Sequence, residues 1–120
     1  MKHKVAELEG VLLDAAVAKA EGEVVVAGHN DGIAVRMQNG YGGTLDCPPI
    51  HYSTQWDLGG PLIARERITI ANEGPQDWWA ATDVEVGNNW HITGQQLGPT
   101  PLIAAMRAYV ASKFGDEVEL

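Results

Sequence analysis

The sequence predicts an α+β fold. Three features carry that expectation: helical spacing near both ends, short strand-like runs between them, and turn residues arriving regularly in the middle. The expected architecture is an antiparallel sheet of about four to five strands, with an N-terminal and a C-terminal helix packed on one face. A chain of 120 residues with 45% apolar content can build one core without disulfides or metal, so a single domain over residues 1–120 is expected.

The C-terminal helix carries its own start and stop. In "GPTPLIAAMRAYVASKFG", Thr100 suits the N-cap and Pro101 the first helical position, where no N–H partner is needed. Gly115 suits a left-handed residue past the end, and Lys113 sits favourably in the last turn. Leu102, Ile103, Met106, Val110 and Phe114 recur at helical spacing and should face the core. Ala104, Ala108 and Ala111 form a small-residue strip that admits a close helix neighbour, expected to be the N-terminal helix. "VLLDAAVAKAEG" predicts the other helix, from about Gly10 to Ala20 and ended by Gly22, with Leu12, Leu13, Ala16, Val17 and Ala20 inward.

Between them, "EVVVA" and "IAVRM" read as strands around the turn "GHNDG", and Asn39-Gly40 marks another turn. "RITIA" alternates, "DWWAATDVEV" resumes as a strand, "GNN" turns, and "WHIT" is a short last strand. Residues 38 to 64 read as a long irregular crossing.

Composition excludes several function classes. The net charge is −8, and the four lysines and four arginines are scattered, so nucleic acid is not an expected partner. No apolar run reaches the roughly 18 residues of a membrane span, and no apolar segment follows the basic N-terminus as a secretion signal would require. A cytoplasmic protein is expected. The one cysteine, Cys47, excludes an internal disulfide. His3, His29, His51 and His91 show no metal-ligand spacing, and Pro48-Pro49 keep Cys47 and His51 off a common helix. Neither Ser53 nor Ser112 sits in a nucleophile elbow, and "GYGG" lacks the lysine and helix of a phosphate loop. No cofactor is expected, and no catalytic constellation is recognisable.

"AELEGVLLDAAVAKAEG" at 6–22, "HYSTQWDLGGPLIARERI" at 51–68 and "GPTPLIAAMRAYVASKFGDEVEL" at 98–120 together resemble the NinX-like family of phage and prophage proteins. The resemblance implies a phage or prophage origin and a place in the bacterial host cytoplasm. It supplies no activity and no catalytic residues. Ala15-Ala16 stand where relatives often carry an aromatic, which would leave any pocket lined there roomier or absent.

Binding is the remaining class. Trp78 and Trp79 are adjacent, so on a strand they point to opposite faces. Trp56 lies in the irregular crossing, either as a loop anchor or as a stacking surface for a planar ligand. Arg65 and Arg67, two apart, share a face if strand geometry has begun there; they either grip an anion or pair with the abundant acids. Arg107 on the terminal helix carries the same alternatives. The helix start at Thr100 favours an anion or is simply capped. If the crossing folds over that end, Tyr52, Trp56, Gly59, Gly60, Arg65 and Thr100 converge on a small anionic, nucleotide-like ligand. The alternatives are an interaction module for a host protein or a second copy of the chain, and, third, a small enzyme acting on a nucleotide.

Overall fold

The computed structural model describes residues 2–28, 32–38, 40–87 and 89–120. Its centre is the C-terminal helix α3, Pro101–Phe114. Thr100 Oγ1 accepts from the Ile103 N–H at 3.1 Å, Pro101 opens the first turn, and Gly115 closes the helix with φ 84°. Burial runs right round α3. Leu102, Ala104, Ala105, Met106, Ala108, Tyr109, Val110 and Ala111 are all buried, and so is Arg107. The expected apolar stripe and small-residue strip are therefore parts of one continuous buried surface, and the stripe's last member, Phe114, is 37% exposed.

Helix α1, Gly10–Ala20, buries Leu13 through Ala18, including Ala15 and Ala16. Strands β2 (Val24–Ala27), β3 (Ile33–Gln38) and β4 (Thr44–Cys47) form one antiparallel sheet in that order. A second sheet is made by β5 (Ile68–Asn72), β6 (Trp78–Val86) and β7 (Asn89–Gly98). Contacts run from the first sheet to α1, from α1 to α3, and from α3 to the second sheet. The chain ends add a third, two-stranded sheet: β1 (Lys2–Lys4) pairs β8 (Glu117–Glu119), opposing Lys2 to Glu119 and Lys4 to Glu117.

The expected four-to-five-stranded sheet with both helices on one face is thus corrected, among the described residues, to three small antiparallel sheets around three α-helices. The reason lies in the crossing. Pro48-Pro49 end β4, and the chain then forms helix α2, Trp56–Arg65, before β5 begins, so β4 and β5 never pair. The stretch 38 to 64 is therefore not irregular throughout. Its Gly-Gly-Pro core sits inside a helix because Gly59, Leu62 and Ile63 fall at helical spacing and pack inward, and packing outweighs poor propensity. The expected "WHIT" strand falls in the first half of a ten-residue β7. The expected turns at "GHNDG" and Asn39-Gly40 include His29, Asn30, Asp31 and Asn39, which lie outside the described residues.

The small-residue strip of α3 meets a strand, not the expected N-terminal helix. A Cβ at Gly98 would stand 2.6 Å from the Ala104 nitrogen, and one at Gly94, whose φ is 66°, would stand 2.6 Å from the Ala108 carbonyl oxygen. Two glycines of β7 thus let its backbone lie directly on the alanine face of the helix.

Candidate functional site

The crossing does return to the start of α3. Two hydrogen bonds tie it to α1. Asp14, in the apolar run of α1 and 2% exposed, accepts from Ser53 N–H at 2.8 Å and from Ser53 Oγ at 2.7 Å. His51 Nδ1 lies 3.6 Å from the other carboxylate oxygen. Just beyond, α2 crosses α3 at Gly59, where a Cβ would meet both Leu102 Cδ1 and the Tyr52 carbonyl at 2.6 Å. Tyr52 is half-buried, and burial raises its hydroxyl pKa, with Glu21 and Glu23 adding to the effect. Gly60 faces open space.

This arrangement leaves a shallow groove of about 240 Å³ between Ser53, Thr54 and Trp56 on one side and Thr100 to Ile103 on the other. Trp56 is 53% exposed beside it. Trp56 and Thr100 therefore meet, but the expected cations do not join them. Arg65 closes the opposite end of α2, nine residues or about 14 Å along the axis. Its guanidinium forks onto Glu21, with Nη1 donating at 3.0 Å and Nη2 at 2.5 Å. Nε donates to Glu66 at 2.9 Å, and Nη2 also reaches Tyr109 Oη at 3.1 Å. The Arg65 hydrogen bond is the main reason the Glu21 carboxyl titrates below its ordinary value, burial opposing it. Burial first, then the Glu21 hydrogen bond, raises the Tyr109 phenol. Arg65 is a structural pin. Arg67 shares no strand face with it: Arg65 is helical, and Arg67 is a turn residue at φ 53°, its carbonyl accepting from Asp83 N–H at 3.3 Å.

Arg107 occupies a different place. It is 8% exposed, yet it lines a larger groove of about 510 Å³ beside the edge strand β7. Its Nε donates to the Leu8 carbonyl at 2.7 Å and its Nη1 to the Leu97 carbonyl at 2.8 Å. Among the described residues no carboxylate lies within ion-pairing distance of it. Burial lowers its pKa, opposed by the more distant charge of Glu9. Trp79, Asp77, Gln95 and Gln96 line the same groove. Trp79 pairs with Leu97 across the β6–β7 ladder, so the two side chains share a face, and Leu97 is 49% exposed.

Sequence reasoning singled out Arg107 but not its partners, and it missed Asp14. A lone carboxylate inside an apolar helical run was the available signal, since buried acids are held by donors. Nothing local marks Asp77 or Gln95 as neighbours of Arg107.

Among the described residues no group of three or more His, Cys, Asp or Glu side chains converges as a metal site would, and no helix is long and apolar enough to cross a membrane. Fold and grooves together define an α+β structure organised on one central helix, with one aromatic-lined cleft at the start of that helix and another beside β7. The chain belongs to the phage protein family described as Bacteriophage P22, NinX, whose model matches residues 4–113. No curated protein matches it.

Proposed function

We propose that this is a non-enzymatic phage accessory protein that binds a small, flat, anionic ligand, nucleotide-like in character, in the groove beside Arg107 and Trp79. The observation that carries the reading is Arg107: a buried guanidinium that donates to two carbonyls and, among the described residues, has no carboxylate within ion-pairing distance. Burying a cation without a counter-charge is costly, and an arriving anion offsets that cost. Trp79 lines the same groove, and Gln95 and Gln96 beside it carry neutral donors and acceptors. The Trp56 groove has aromatic surface but no basic side chain among its lining residues, which makes it the weaker candidate. Holding a ligand without turning it over would serve to sequester a host defence signal in the bacterial cytoplasm.

Calorimetric titration with adenine nucleotides tests the reading. Trp79→Ala should weaken binding by about tenfold or more, in line with the loss of one stacking contact, while Trp56→Ala leaves it unchanged. Loss of binding on Trp56→Ala alone would move the site to the other groove. A second reading, a docking face for a host protein or a second copy of the chain, draws on the exposed apolar surface of Leu97 and Ile92 on the second sheet. A stoichiometric protein partner in light scattering, with no heat from any nucleotide, would favour it.

A further inference from the structure

Resting on that reading of the Arg107 groove, we infer that the site selects a singly charged anion whose ring carries a hydrogen-bond donor, and that Asp77 sets the charge limit. Arg107 is the one basic residue among the described residues that line the groove. Its Nε and Nη1 already donate to Leu8 and Leu97, so its Nη2 edge is the part left for a ligand. One such edge matches one anionic group. Asp77 is exposed and lines the same groove. A second or third ligand charge would face that carboxylate with no cation to balance it, inside a protein whose net charge is already −8.

What Asp77 repels as charge it accepts as a hydrogen bond. A ring amine, ring N–H or hydroxyl directed at Asp77 would use the carboxylate that disfavours polyanions. With Trp79 against the ring face, the ligand class is a flat ring with one negative charge and one donor. Nucleobase phosphodiesters and amino-substituted aromatic carboxylates both meet that description. Nucleoside polyphosphates do not.

The test is calorimetry on the full chain and on Asp77→Asn at constant ionic strength. The probes are adenosine 3′,5′-cyclic monophosphate, 2-aminobenzoate, AMP and ATP. The wild type should bind at least one of the two monoanions about tenfold or more tightly than ATP, and Asp77→Asn should narrow that ratio to about threefold or less. Binding of the cyclic nucleotide without the benzoate identifies the phosphodiester source, and the reverse identifies the carboxylate source. ATP bound as tightly as the monoanions, or a ratio unchanged in Asp77→Asn, overturns the charge limit while leaving the groove as a binding site. Silence from all four probes in the wild type removes both the charge limit and the site.

Discussion

Replacing Asp14 by alanine should be among the most damaging single changes in this protein. Its Oδ1 accepts two hydrogen bonds from Ser53, at 2.8 Å from the backbone nitrogen and 2.7 Å from the hydroxyl, and both residues are 2% exposed. A hydrogen bond to a charged group contributes about 1.5–3 kcal/mol, and a buried donor left unpaired costs about 1–3 kcal/mol. Asp14→Ala strands the Ser53 N–H, so the sum falls at about 3–5 kcal/mol. The contact with His51 adds little, because that side chain is 59% exposed. Against a total stability of about 5–15 kcal/mol, the loss should lower the urea midpoint by about 2 M. Asp14→Asn keeps an acceptor and should cost about 1–2 kcal/mol. Ser53→Ala keeps the backbone bond and should cost a similar amount. The double variant Asp14→Ala/Ser53→Ala should be less destabilised than the two singles added together, since they share a bond. Urea unfolding followed by far-ultraviolet circular dichroism reads all four. A loss below about 1 kcal/mol for Asp14→Ala, or strict additivity in the cycle, would falsify the clamp.

Two further outcomes follow from the same coordinates. Gly98→Ala pushes a methyl against the Ala104 backbone at 2.6 and 2.9 Å and should cost about 1–3 kcal/mol, whereas Gly60→Ala, in open space within α2, should stabilise by about 0.4–1 kcal/mol; thermal melts compare them directly. Glu21 has a folded pKa below its ordinary 4.5, so its contribution is present above that value and is lost as the pH falls through the lower, folded value. Stability measured from pH 6 downward should therefore fall less steeply in Glu21→Gln than in the wild type, from a lower starting point.

The helices at the two ends were legible because their signals are local. Thr100, Pro101 and Gly115 act within one turn of their own position. Helix α2 was not, because Gly59, Gly60 and Pro61 each argue against a helix, and the packing of Leu62 and Ile63 that overrides them is non-local. Sheet organisation failed for a similar reason. Strand alternation gives a face, not a partner, and the pairing of Lys2–Lys4 with Glu117–Glu119 joins segments too short to announce themselves. At the site, Trp56 and Thr100 were brought together as the return of the chain suggested, but Arg65 was claimed by Glu21, 44 residues away in sequence. Which cation keeps an open edge depends on where every acid lands, and spacing along a chain does not carry that.

The central position of α3 has a consequence for biosynthesis. During translation this helix leaves the ribosome after every element it organises except β8. Until residues 101–114 emerge, α1 and the β5–β7 sheet lack the surface that both of them cover. The nascent polypeptide must wait with its apolar segments unsheltered until that helix threads into place.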